Sequence, residues 1–176
     1  PVHVYTSGDE AELFLNGASL GRKKKGEYEY RLRWDDVRYQ PGELKVVAYK
    51  AGREWAADVV KTAGPAAKLV ASVDRMEIAA DGRDLTFVTI RVADVDGLLV
   101  PRASDLVTFT VEGSGEVVAV GNGDSTDHDP FQADRRRAYN GLCLAIVRAR
   151  PGAPGPIKIK AEARGLQPAE IEVLGK

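Results

Sequence analysis

Nowhere in this chain do apolar residues recur at the i, i+3, i+4, i+7 spacing of a helix face. What recurs is alternation over short runs, broken by Gly, Pro, Asn and Asp. "AELFLNGASLGRK" is an apolar strand, an Asn16-Gly17 turn and a return strand. Asn-Gly suits a two-residue hairpin because both positions accept positive φ. Ala11, Leu13 and Leu15 share one face there, with Glu12 and Phe14 on the other. "YEYRLRW" (Tyr28–Trp34) alternates again, "QPGE" (Gln40–Glu43) reads as a turn, and "LKVVAYKAGREWAADVVK" folds back at Ala51-Gly52.

The pattern breaks at "KTAGPAAK" (Lys61–Lys68), with Gly64-Pro65 inside it. Beyond lie seven strand candidates: "KLVASVD", "LTFVTIRVAD", "VTFTVEG", "GEVVAVG", "GLCLAIVRA", "PIKIKAEA" and "AEIEVL". Seven short strands in roughly 100 residues is the expectation for an immunoglobulin-like sandwich. The Cys…Trp…Cys signature of antibody domains is absent, so only the architecture is inferred. The predicted organisation is all-β, with two consecutive immunoglobulin-like β-sandwich domains at 1–63 and 64–176. The first is short for a sandwich, and part of its first strands is expected upstream of Pro1.

Charge excludes some partners. Net charge is −1, from 25 basic and 26 acidic residues, so no global field draws the chain to nucleic acid or to an anionic membrane. "GRKKKG" (Gly21–Gly26) lies beside Glu27 and Glu29 and reads as a solvated loop. The longest apolar run, "LCLAIV", is far below the roughly 20 residues that span a bilayer. A lone Cys143 in that run reads as a buried small hydrophobe. The glycines of "GSGEVVAVGNG" precede a strand rather than a helix and lack the Lys-Ser/Thr pair of a phosphate loop; hairpin turns are expected. The chain opens mid-strand with no signal peptide, which leaves the compartment of a larger parent open.

The stretch that most suggests chemistry is "GNGDSTDHDPFQ" (Gly121–Gln132), where Asp124, Asp127 and Asp129 surround His128. With Asn122 the three carboxylates offer four ligands of the about six to eight that Ca²⁺ takes, though not at EF-hand spacing. Zinc lacks a second His or a Cys at a useful distance. Asp and Asn also dominate ordinary loops by bonding their own backbone. A structural loop, a weak calcium or sodium site and an acid–base centre all remain readings, the first favoured. Arg135–Arg137, just downstream, are placed to pair with this acidic loop, a local electrostatic tie of modest value at the surface. No serine has a triad motif around His3 or His128, and no carboxylate pair stands out as a glycosidase pair.

Exposed flat aromatics would mark a sugar-binding module, and Trp34, Trp55 and Tyr39 in the first unit are its candidates. Most aromatics of so small a core are nevertheless expected to pack inside.

"VHVYTSGDEAELFLNGASLGRK…YQPGELKVVAYKAGREWAADVVKTAG" resembles the sandwich domain that follows the catalytic barrel in bacterial β-galactosidases of glycoside hydrolase family 2. The second half, through "DRMEIAADGRDLTFVTIRVADVDG", "GNGD" and "FQADRRRAYNGLCLAIVRA", is similar to the Ig-like C-terminal module of the same enzymes. The resemblance implies a parent that is a retaining exo-glycosidase, its two catalytic glutamates on a barrel N-terminal to this chain. It implies partners in those catalytic domains of the same polypeptide, needs no cofactor, and is compatible with a periplasmic or secreted parent. No catalytic residue of the family maps onto this sequence. The resemblance also makes the loop architectural, with Asn122, Asp124 and Phe131 fixing it to the sandwich and a domain interface as the sharper expectation. Two alternatives stand beside a structural accessory role. One is a carbohydrate-binding module. The other is a surface adhesion module, since "DGRDLTFVTIRVADVDG" also resembles bacterial Ig repeats, although arrays repeat themselves and these halves differ.

Overall fold

The computed structural model describes residues 1–176, and none of them is helical. The chain divides into two units, Pro1–Thr62 and Ala63–Lys176.

The first unit holds β1 (Val2–Tyr5), β2 (Glu10–Leu15), β3 (Ala18–Lys24), β4 (Arg31–Trp34), β5 (Glu43–Lys50) and β6 (Arg53–Lys61). They form a four-stranded sheet, β3-β2-β5-β6, and a two-stranded ribbon, β1-β4. Val4, Ala11, Leu13, Leu32, Trp34 and Ala48 make its core. Asn16-Gly17 closes the β2–β3 hairpin at φ 50° and 82°, and Ala51-Gly52 closes β5–β6 at 49° and 78°. Both pairs have the left-handed geometry of a type I′ turn, whose twist matches the strands it joins. Asn16 also reaches across to "QPGE". Its Oδ1 accepts the Glu43 N–H at 2.8 Å and its Nδ2 donates to the Pro41 carbonyl at 3.1 Å. Gly42, at φ 130°, lies so close to Asn16 Oδ1 that any Cβ there would collide with it. The strand expected over Tyr28–Trp34 covers only Arg31–Trp34, because Tyr28 and Tyr30 lie in the preceding turn and face solvent.

The second unit holds β7 (Lys68–Val73), β8 (Glu77–Ile78), β9 (Leu85–Ala93), β10 (Leu106–Gly113), β11 (Gly115–Gly121), β12 (Arg135–Arg137), β13 (Leu142–Ala149), β14 (Gly155–Glu162) and β15 (Ala169–Gly175). One sheet runs β11-β13-β9-β7, the other β12-β10-β14-β15-β8. Taken in chain order, β7, β9, β11 and β13 stand as strands A, B, D and E of an immunoglobulin domain, and β10, β14 and β15 as C, F and G. Every pairing is antiparallel except β8 on β15. Strict alternation in β13 sends Cys143, Ala145, Val147 and Ala149 into the core, where Val88, Ile90, Val107, Phe109, Ile157 and Val173 meet them.

The glycines of "GSG" do not close a hairpin. β10 and β11 belong to different sheets, so Gly113-Ser114-Gly115 is the corner where the chain changes layer. Gly113 (φ 86°) leaves no room for a Cβ beside the Pro156 carbonyl, and a Cβ at Gly115 would meet Ile157 Cγ2 at 2.5 Å. Gly115 is required for close approach alone, and Gly113 both for close approach and for its positive φ. At the start of this unit the buried Asp94 carboxylate accepts N–H bonds from Gly64 (2.8 Å), Leu98 (2.8 Å) and Asp96 (3.0 Å). These donors, Gly64 first, hold its pKa below the usual carboxylate range.

Candidate functional site

The acidic loop of Gly121–Gln132 leaves β11 and returns as β12, a three-residue edge strand hydrogen-bonded to β10 through Val107↔Arg136. Period-two alternation turns Arg135 and Arg137 to solvent and drives Arg136 inward, where it is 1% exposed. The arginines do tie to the acidic loop, but through Arg136 alone and from a buried position rather than at the surface. The middle one is the centre of the loop.

A buried guanidinium demands acceptors, and the loop supplies them. Arg136 Nη1 donates to Asp127 Oδ2 at 2.9 Å. Its Nη2 donates to the carbonyls of Pro130 (2.9 Å), Asp129 (3.1 Å) and Val120 (3.3 Å). Only Nε is buried without an acceptor. The Phe131 ring covers the group, its centroid 5.3 Å from Cζ, while its outer face stays exposed. Asn122 completes the arrangement: Nδ2 donates to Asp127 Oδ2 (2.7 Å) and to the Arg137 carbonyl (2.9 Å), and Oδ1 accepts the Asp124 N–H (2.9 Å). Asp124 in turn accepts from the Thr126 N–H at 2.9 Å and hydroxyl at 2.7 Å.

This wiring bears on the cation reading. Asp127 Oδ1 takes the Asp129 N–H at 2.9 Å and Oδ2 takes Asn122 and Arg136, so its carboxylate is spent on protein donors. The Asp129 N–H foremost, then Arg136, hold the Asp127 pKa below the ordinary range. No three Asp, Glu, His or Cys side chains converge as a metal site anywhere in the chain. The positive charge at the middle of the loop is the arginine's own. His128 and Asp129 point to solvent.

The stacking candidates separate. Trp34 is 4% exposed, a core residue of the first unit whose Nε1 donates to the Gly21 carbonyl at 3.3 Å. Its flat face is unavailable to a sugar, because β4 alternation places it inside with Leu32. Trp55 is half exposed, with Nε1 donating to Ser7 Oγ at 3.0 Å and Lys50 Nζ 4.8 Å from the ring centroid. Tyr39 is exposed, its hydroxyl 3.3 Å from Thr62 Oγ1. Cys143 is buried, and burial pushes its thiol up to about 12, so no thiolate forms near neutrality.

Comparison with known proteins agrees with this architecture. Residues 69–172 match the family described as glycoside hydrolase family 2 C-terminal domain 5, and residues 1–56 match a domain of unknown function (DUF4982). The chain is 38% identical over 169 residues to beta-galactosidase BoGH2A of Bacteroides ovatus, covering 96% of this chain and 20% of that protein. A crystal structure of a glycosyl hydrolase family 2 member from Bacteroides cellulosilyticus superposes with a TM-score of 0.93 at 35% identity, over 99% of this chain and 22% of that one. A beta-glycosidase from Bacteroides vulgatus superposes at 0.90 and 26% identity, over 98% of this chain and 22% of its own. The chain thus spans about a fifth of the length of these relatives. It belongs to glycoside hydrolase family 2, as C-terminal β-sandwich domains of that family.

Proposed function

We propose that the chain serves a β-galactosidase-like glycoside hydrolase as a pair of non-catalytic accessory domains, bracing the catalytic domains of the same polypeptide or the contacts between subunits. The observation that carries this reading is the acidic loop. Its best candidates for chemistry, Asp124, Asp127 and Asn122, are turned onto the loop backbone and a buried arginine, which makes the loop rigid rather than reactive. The 38% match to about a fifth of a β-galactosidase supports the same view. Purified chain should release no chromophore from a nitrophenyl β-galactoside, and measurable turnover would sink the proposal. A chimera of the Bacteroides ovatus relative carrying this chain in place of its matching 169 residues should keep its activity, whereas deletion of that segment should cost thermal stability.

A carbohydrate-binding role is the second reading, favoured by the exposure of Trp55 and Tyr39. Galactan titration of Trp55→Ala and of Tyr39→Ala against the parent chain tests those two residues directly.

A further inference from the structure

The outer face of the β1–β4 ribbon is aromatic and basic. Tyr5 pairs with Arg31 and His3 with Arg33 across the two strands. Val4, Leu32 and Trp34 are the buried members, so alternation turns these four outward. Beside this face lies an open cleft of about 590 Å³, with Lys23, Lys24, Tyr28, Tyr30, Arg31 and Arg33 in its walls. Tyr28 is 89% exposed, Tyr30 68% and Tyr5 63%, none of them packing residues. The rings of Tyr5 and Tyr30 stack with centroids 6.2 Å apart and planes 28° apart, and Arg31 Cζ sits 5.6 Å from the Tyr30 centroid.

The charges in this cleft are not balanced. Glu29 is its one acid, and Oε2 is held by the Gly26 N–H at 2.8 Å. Arg33 is paired with Asp35, and Lys23 donates to the Arg33 carbonyl at 2.6 Å. Lys24 and Arg31 make no ion pair. Exposed ring faces suit the flat faces of pyranose rings, while unpaired cations next to them suit anionic substituents. We propose that this cleft binds an acidic oligosaccharide, bearing uronate carboxylates or sulfate esters, that stacks on Tyr28 and Tyr30 and sets its anionic groups against Lys24 and Arg31. The proposal goes beyond the accessory role and does not depend on it, because binding here is measured apart from any catalysis.

The test is calorimetric titration of the whole chain with tetragalacturonate, a sulfated galactan tetrasaccharide, galactotetraose and an oligothymidylate. Saturable binding of at least one acidic sugar is expected, and the one that binds distinguishes uronate from sulfate. Galactotetraose should bind at least tenfold more weakly, and about 0.5 M NaCl should weaken the acidic sugar by screening exposed charge. Tyr30→Ala and Arg31→Gln should each weaken it by roughly tenfold, the size of one lost stacking or charge-assisted contact. Where a thermal melt shows that either variant has lost its fold, Tyr28→Ala and Lys24→Gln replace them. Failure of both acidic sugars to bind overturns the proposal. So does equal binding of galactotetraose, equal binding of the oligothymidylate, or variants that bind as tightly as the parent.

Discussion

Arg136 shows how one side chain can set the conformation of a whole loop. Its guanidinium satisfies the carbonyls of Val120, Asp129 and Pro130 and the Asp127 carboxylate in a place water does not reach. Arg136→Ala strands those acceptors and should cost about 3 kcal/mol or more of stability in the second unit. Asp127→Asn keeps an acceptor and should cost less. Denaturation midpoints of the two variants check the order, and an Arg136→Ala chain as stable as the parent would show that the clamp is idle. A linked expectation concerns acid. The Asp127 and Asp94 pKa values are lowered in the fold, so both contribute stability above the unfolded carboxylate value near about 3.9 and lose it as pH falls through their folded values. Midpoints at pH 7 and 5 should therefore agree while that at pH 3 drops; equal midpoints at all three would refute the linkage. The acids of this loop were visible in the sequence as candidates, but the arginine at its centre was not. Three consecutive arginines read as a surface tie to the acidic loop, and only their alternation on an edge strand opposite Val107 buries the middle one. The pairing of β12 with β10 spans nearly thirty residues of sequence, beyond the reach of any local pattern.

Elements were legible in proportion to their length. The seven longer strands of the second unit carry enough period-two alternation to be read directly, and each is present. β8 and β12, of two and three residues, are too short for a period to register. Glycine-rich stretches were legible as breaks but not as types of break. Gly113–Gly115 changes layer because Pro156 and Ile157 lie against it, and those contacts come from a strand some forty residues on. The two hairpins of the first unit, by contrast, are local and were read from their turn pairs. They differ at one atom group: Asn16 is suited to positive φ, whereas Ala51 at φ 49° has a Cβ and no side-chain amide to compensate. Ala51→Asn gives the second hairpin the turn chemistry of the first and should raise stability by roughly 0.5–1 kcal/mol. The Ala51 N–H that donates to Asp9 Oδ2 (2.7 Å) is a main-chain group and is kept in the variant. A lower melting temperature for this variant would mean that a side-chain amide does not ease the positive φ at this turn.

Two units with such different cores should not share one stability. The second packs eighteen buried residues between sheets of four and five strands, including Ile90, Phe109, Ile157 and Ile159. The first has a core cluster of six beneath a ribbon of only two strands, and its edges β3 and β6 are exposed along their whole length. A domain of about 60 residues buries a smaller share of its surface than one of over 100, and its net stability is correspondingly marginal. Residues 63–176 expressed alone should therefore melt cooperatively, and Arg136→Ala should lower that melt as it does in the whole chain. Residues 1–62 alone should melt at a lower temperature and over a broader range. Calorimetry of the two pieces decides the matter. If 1–62 melts at or above the temperature of 63–176, the count of buried side chains misjudges what holds this small unit together. Its turn network of Asn16, Pro41 and Glu43 would then be the place to look for the missing stability.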